Sequence, residues 1–510
     1  MKRKYLIVID TGSSNIKAAV YDTDGKPIVA CNEKAPREST NPGLSEAGKY
    51  YDTVIHCLKA CVKKAPVDKS AFEAIVFTGQ MAGAVGVDKD WNALTPWSGT
   101  MHSAHIPYLI RMPEIYREKL LEHSGTNASF MLPKIKWMQD ACAERFQRIE
   151  KFLIIGNYAA GKMAGIGIED AFIDRTLLEW TGGACIQNDC WSDLLCNAAE
   201  IDIKKLPRIV ESTAVIGKLS RETAQSCGLP SGIPLVAGAG DKPAGCIGAG
   251  IVHPGQLVDE TSTVGAISQC LDRYIPDMRH RMLEVIPSPI HGEYYASVYF
   301  TGSGATIEWY IQNMYPGRKV KKGQSPYELI NQSAAKLPPG SEGLLAIGML
   351  NGRALPLDPD IRGLWMGHSW NHKPEHFYKA LLESLGYEYA CALNVMAETY
   401  PHLKSEEIRV IGGGASSTLF NQIKADILGK TYSVLKRDDT TMLGAAIIGG
   451  NAVGIYSDIK STAERFIGEE RKIAPVKEHY PVYRKYLELY ESSFDRLRGM
   501  YEALGGLRTS

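Results

Sequence analysis

The sequence predicts an α/β protein of two domains facing each other across a cleft, and three observations carry that prediction. The chain has 510 residues, too many for one ordinary hydrophobic core and enough for two large ones. Apolar strand-like runs end at three glycine-marked corners that carry polar chemistry: Asp10-Thr11-Gly12-Ser13-Ser14, Gly238-Ala239-Gly240-Asp241 and Gly412-Gly413-Gly414-Ala415-Ser416. Open α/β folds place their chemistry at such strand ends. The opening strand–turn–strand also recurs near residue 260, so the second half of the chain echoes the first.

Each element follows from local pattern. Tyr5–Ile9 is a short apolar run, residues 10–15 form a polar turn, and Ile16 to Tyr21 return as a second strand. Asp22-Thr23-Asp24-Gly25 turns the chain toward a third strand from Ile28 to Cys31. Apolar residues at helical spacing predict a helix over Ala47–Lys64, and Ala74–Thr78 reads as a strand ending in Gly79. Residues 130–230 mix helices with polar loops and read as a lobe on the substrate side. Pro234–Ala237 is a strand that leads through Gly238 and Gly240 to Asp241 and a helix of small residues. A boundary near Val252–Gly255 gives domains of residues 1–252 and 253–510. Beyond it come a strand at Gln256–Asp259, the turn Thr261-Ser262-Thr263 and a strand at Gly265–Cys270. A long helix over Glu375–Thr399 has Phe377, Ala380, Leu381, Leu385 and Tyr389 on one face, and the strand Ile408–Ile411 breaks at the three glycines. With no low-complexity linker between them, the halves are expected to pack closely.

Composition excludes several function classes. Lys+Arg and Asp+Glu are both 57, so there is no net field to favour nucleic acid or an acidic membrane surface. Apolar content of 45% and charged content of 22% match a soluble globular protein. The apolar run after Met1-Lys2-Arg3-Lys4 stops at Asp10, short of a signal h-region of about 7–15 residues, and no run of about 18 apolar residues occurs. A cytoplasmic protein without a membrane span is expected. The 11 cysteines are scattered without Cys-x-x-Cys, as reduced thiols would be. His368, His372 and His376 are spaced like a ligand ladder, but Pro374 interrupts a helix between the last two.

The first turn offers backbone N–H groups and the hydroxyls of Thr11, Ser13 and Ser14, around Gly12, to phosphate oxygens. Lys17, on the next strand, points charge at the same place. Asp10 can hold a magnesium ion through water. Thr261, Ser262 and Thr263 supply a second hydroxyl-rich cradle. Gly412, Gly413, Gly414, Ala415 and Ser416 leave a flat surface for a purine and ribose, and the helix that follows favours anions at its N-terminus. The spacing is neither a Walker A loop nor Gly-x-Gly-x-x-Gly with an acid about 20 positions on, which disfavours dinucleotide binding. Phosphoryl transfer from a nucleotide needs positioning, a cation and a base for the attacking hydroxyl. Asp241 is the expected base and, with Asp10, the expected metal-side carboxylate.

These motifs resemble those of the FGGY carbohydrate kinases, in particular a xylulokinase- and ribulokinase-like subgroup, and the resemblance runs from Tyr5 to about Gly450. It implies actin-like (ribonuclease H-like) ATPase folds for both domains, ATP with Mg2+, a small sugar or polyol as acceptor (ketopentose-like), and a homodimer as an open expectation. Gly79-Gln80-Met81-Ala82-Gly83 resembles the family's Gly-Gln-Met-His-Gly loop, which touches the sugar. Gly240-Asp241 resembles its catalytic strand end, and Gly352-Arg353 through Pro356, then Asp358–Gly363, its interdomain segment. The glycine platform with Asn421-Gln422 and Gly444-Ala445-Ala446 resembles its adenosine side.

Departures cluster on the acceptor side. Ala82 stands where a histidine is usual, and in the segment after Trp97, His102 replaces an acid and Ala104 an arginine. Lys242 follows Asp241 where glutamine or asparagine is frequent, and Ser262 replaces a glycine. A site built to bond a hydroxyl discriminates strongly against ligands that lack it, so these swaps argue against a plain D-xylulokinase. One reading is a pocket of Gln80, Met81, Ala82, Trp97, His102, Asp241 and Lys242 retuned for another polyol, ketose or sugar acid, with His102 and Lys242 adding positive character. The others are a nucleotide-binding homologue with a decayed sugar site, and an actin-like ATPase scaffold. A scaffold would not need Asp241 beside a sugar-contacting loop.

Overall fold

Two sheets organise the chain in a computed structural model that describes residues 3–41, 43–315, 325–353 and 356–508. The Gly352–Pro356 motif therefore falls partly outside the described residues. The first sheet contains β1 (Tyr5–Thr11), β2 (Asn15–Asp22), β3 (Pro27–Lys34), β4 (Phe72–Gly79), β5 (Val215–Lys218) and β6 (Pro234–Gly240), in the order β5-β6-β4-β1-β2-β3. The second contains β7 (Leu257–Thr261), β8 (Gly265–Leu271), β9 (Glu284–Pro287), β10 (Tyr294–Phe300), β11 (Glu407–Ile411), β12 (Thr431–Leu435) and β13 (Glu469–Ile473), in the order β9-β10-β8-β7-β11-β12-β13. Without the edge strands β5, β9 and β13, the two sheets share one topology. A hairpin (β1–β2, β7–β8) is extended by an antiparallel third strand on one side. Two strands parallel to the first continue it on the other side. The echo in the sequence is thus a duplicated fold.

Five helices position the site: α1 (Ala47–Lys64), α2 (Asp241–Gly248), α3 (Pro374–Thr399), α4 (Thr418–Leu428) and α5 (Thr440–Ala452). β1 is apolar from Tyr5 to Ile9 because both of its faces are covered. Ile7 and Ile9 share a core with Val54, Cys57, Leu58 and Cys61 of α1. Leu6 and Val8 share another with Leu443, Ile447 and Ile448 of α5, so a helix from the second half closes a face of the first sheet. β1 also runs further than expected. It continues through Asp10 and Thr11, which pair with Lys17 and Ile16 of β2 and with Thr78 and Gly79 of β4. The acid is therefore held by a strand rather than by a turn. Pro374 starts α3, the position where its missing N–H costs nothing. His376 lies 3.3 Å from Glu342, and His372 Nδ1 accepts from the Ser369 N–H at 2.7 Å, which are ordinary uses of these histidines.

α2 and α5 touch backbone to backbone. A Cβ on Gly248 would lie 1.8 Å from the Thr440 carbonyl oxygen, and one on Gly444 would lie 1.8 Å from that of Ala244. Gly444 thus serves a helix contact in this fold. Gly444→Val is expected to cost about 1–3 kcal/mol or more by overpacking and to depress turnover by displacing the start of α2, as read by denaturant midpoint and kcat. All 11 cysteines are free and only Cys190 is exposed, in keeping with the unpaired thiols expected. Among the described residues, no helix is long and apolar enough to cross a membrane.

Candidate active site

β6 kinks at Gly238, where φ is +75° and a Cβ would strike the Phe77 carbonyl oxygen at 1.7 Å. The pairing register with β4 slips between Val236 and Ala239, which brings Gly240 level with Gly79. The kink delivers Asp241 to the first turn of α2, open to a cleft of about 570 Å3. Asp10, Ser13, Lys17, Gln80 and Met81 form one wall of that cleft, and Glu260, Ser262, Val264 and Tyr299 face them from the other half.

Three carboxylates converge here. Burial raises the pKa of Asp10, against the pull of Lys17, whose Nζ lies 3.8 Å away. Asp241 is pushed up to about 7, first by its enclosure in protein and then by the negative charges of Asp10 and Glu260. The Lys242 N–H, 2.8 Å from Asp241 Oδ1, works the other way. The Lys242 side chain is buried and its Nζ reaches Glu260 Oε2 at 3.0 Å, bridging the start of α2 and the end of β7.

The first turn is tight: a Cβ on Gly12 would lie 2.6 Å from the Asn15 carbonyl oxygen. Arg37 sits on it, donating through Nε and Nη2 to the Ser13 carbonyl at 3.2 and 2.9 Å and through Nη2 to Ser14 Oγ at 2.7 Å. The Thr11 hydroxyl is turned away from the cleft and donates to the Thr78 carbonyl at 3.0 Å. In the second turn, Ser262 and Thr263 are exposed, and Ser262 Oγ donates to the Val264 carbonyl at 2.7 Å. Thr261 again points inward, donating to Asp259 Oδ1 at 2.7 Å and accepting from Lys424 Nζ at 3.0 Å. Lys424 of α4 and Asp259 form a fully buried ion pair.

The glycine platform lies beside this second turn rather than in the cleft wall. Gly412 has φ +80°, and a Cβ on Gly414 would lie 2.2 Å from Thr261 Cγ2, so only glycine permits the approach. Gly413 has nothing within 4 Å of a would-be Cβ. Ser416 Oγ donates to the Gly413 carbonyl at 2.8 Å. Asn421 supports the platform from behind, its Nδ2 donating to the Ala415 and Gly414 carbonyls at 3.0 and 3.3 Å.

On the acceptor side, Gln80 Nε2 donates to the Thr11 carbonyl at 3.4 Å, while its buried Oε1 has no partner among the described residues. Met81 packs over Gly240 and lines the cleft; Ala82 is buried outside its walls. Trp97 covers Gly83 and lines a small side chamber. His102 is buried elsewhere, its Nδ1 2.8 Å from Ser98 Oγ and its ring edge-on to Trp137. Lys134 Nζ donates to the His102 carbonyl at 2.9 Å. Burial first, and then Lys134, lower the pKa of His102. This corrects the expected positive character: His102 stays neutral away from the cleft, and Glu260 matches the charge of Lys242.

Sequence reasoning passed over Glu260, Arg37, Trp180 and Tyr299. The last two meet at a tilt of 47° with ring centroids 5.9 Å apart in the cleft wall. Glu260 did carry a signal, since it precedes Thr261 as Asp10 precedes Thr11.

A carboxylate corner facing two hydroxyl-bearing hairpins across a cleft is the layout of a phosphotransferase that acts on an alcohol. The family model for the N-terminal domain of the FGGY family of carbohydrate kinases matches residues 5–248, and that for the C-terminal domain matches residues 275–453. The chain belongs to the FGGY family of carbohydrate kinases. It is 26% identical over 518 residues to a xylulose kinase of Bacillus subtilis, covering 99% of each chain. It is 25% identical over 525 residues to an autoinducer-2 kinase of Salmonella typhimurium, covering 99% of this chain and 96% of that one. The fold matches the crystal structure of a gluconate kinase from Lactobacillus acidophilus with a TM-score of 0.88 at 21% identity, over 99% of this chain and 100% of the other.

Proposed function

We propose that this kinase transfers the γ-phosphoryl group of ATP to a hydroxyl of a small ketopentose-like sugar or polyol, with Asp241 as general base. The observation that carries the reading is the Asp241 carboxyl, open at the cleft floor and pushed up to about 7. The acceptor oxygen attacks the γ-phosphorus as the bond to the β,γ-bridging oxygen breaks and ADP leaves, and the hydroxyl proton passes to Asp241. Gln80 Oε1, at the cleft wall and without a partner among the described residues, is suited to accept a bond from a second acceptor hydroxyl. The 11–14 and 261–263 turns would hold the phosphates, with Lys17 near the first, and residues 412–416 the adenosine. Thr11, Thr261 and Asn421 act in this reading by holding those turns in shape.

Two carboxylates facing one cleft, with Asp10 raising the cost of charging Asp241, fit a divalent cation, and Asp10 with Asp241 would hold Mg2+ there. When bound, the ion neutralises charge on the phosphate oxygens. The free thiols suit a reducing, cytoplasmic setting.

The base must be unprotonated to act. Burial and the charges of Asp10 and Glu260 push Asp241 up to about 7 in the metal-free protein, and a bound cation lowers it, so kcat/KM for the acceptor is expected to fall about tenfold per pH unit below a break at or under about pH 7 and to level off above it. A profile with no acid-side fall down to about pH 5 would remove Asp241 from the role. ATP consumption should be slow alone and rise when an acceptor is added; ATP binding with no stimulation by any acceptor would favour the decayed-site reading.

A further inference from the structure

Behind Gln80 the cleft continues. A side chamber of about 20 Å3 shares Ser13, Gln80, Thr100 and Met101 with the main cleft. That is space for one small polar group rather than for a longer chain. Trp97 and Tyr50 form apolar walls, and among the described residues Arg37 is the only charged one lining the chamber.

The cations around the two connected cavities differ in what they have left to offer. Lys17 faces Asp10, and Lys242 is tied to Glu260. Arg37 has no carboxylate partner among the described residues: Nε and Nη2 are held by Ser13 and Ser14, and Nη1 has no partner. With both Nη2 hydrogens taken by Ser13 and Ser14, Nη1 alone keeps free N–H donors, on a guanidinium already held in place, and can give a charge-assisted hydrogen bond to one oxygen of an anion. Gln80 Oε1, unpartnered in a residue only 8% exposed, lies in the wall common to both cavities and can accept from a hydroxyl passing between them.

We propose that Arg37 is a specificity-determining residue that receives the carboxylate of a linear polyhydroxy acid, whose far hydroxyl is the one presented to Asp241. The inference rests on the kinase reading of the cleft and replaces its ketopentose-like acceptor with a polyhydroxy acid. It moves the anion-recognising charge from Lys242, where the sequence placed it, to a residue on the opposite side of the first phosphate turn.

D-Gluconate and D-glucitol make a matched pair of probes, differing only in a carboxylate against a hydroxymethyl group. Calorimetric titration of the wild-type protein should show gluconate binding more tightly than glucitol. Arg37→Met should weaken gluconate binding by about ten- to a hundredfold, the range for a hydrogen bond to a charged group, and change glucitol binding by less than about twofold. Arg37→Lys, which keeps the charge but loses the guanidinium held on the turn, should fall between. Equal binding of the two probes by wild type, or a parallel loss of both in Arg37→Met and Arg37→Lys, would overturn the proposal. The parallel loss would leave Arg37 as a staple on the turn. Binding separates this test from the kinase reading. Gluconate that binds through Arg37 without being phosphorylated supports the anion site and counts against the reaction, whereas turnover of neutral ketoses with no preference for gluconate does the reverse.

Discussion

Asp241→Asn is expected to lower kcat for acceptor phosphorylation by about 10²–10⁴, the usual range for removing a general base. The affinity for ATP without Mg2+ should change little, because the turns assigned to the phosphates and the adenosine lie on other elements. Asparagine keeps the size of the side chain and can still accept from the Lys242 N–H, which donates to Asp241 Oδ1 at 2.8 Å. What it cannot do is take the proton of the attacking hydroxyl. A variant with more than roughly a tenth of the wild-type rate would refute the assignment.

The second large effect is on stability. Lys424 and Asp259 are both at 0% side-chain exposure, and Lys424 also donates to Thr261 at the root of the second phosphate turn. Tyr389 OH supports the pair from α3, donating to Asp259 Oδ1 at 2.8 Å. Lys424→Met leaves a carboxylate buried without its cation, which typically costs about 3–5 kcal/mol. Replacing both partners, as in Lys424→Met with Asp259→Leu, should recover much of that loss, since no buried charge is then stranded. Denaturant midpoints of the two variants make the comparison. A loss below about 1 kcal/mol in the single variant would mean that the pair is not the buried clamp described.

The fold was legible where one residue pattern answered one local demand. The periodicity of Ala47–Lys64 defines α1 to the residue, because one face of that helix meets the sheet and the other meets water. The Gly238-Ala239-Gly240-Asp241 corner was legible because only glycine allows β6 to kink against β4. What stayed hidden depended on partners far along the chain. Nothing local to Lys242 says that Glu260 neutralises it, or local to His102 that Lys134 lies beneath it. α5 was opaque for another reason. It is apolar nearly all round, since it is wedged between α2 and the first sheet, and such a helix shows no face to read. The acceptor side suffered most, because its character depends on which side chains reach the cleft. Ala82 and His102 do not line it, whereas Trp180 and Tyr299, from separate stretches of sequence, do.

In the proposed reaction the cleft moves a phosphoryl group from ATP to an acceptor hydroxyl through Asp241. The most direct test follows the label from γ-labelled ATP into product across a panel of ketoses, alditols and sugar acids, with Asp241→Asn alongside. One acceptor class should take up label in step with ADP formation, and both should fall together in the variant. Label released only as inorganic phosphate, at a rate no acceptor changes, would contradict it.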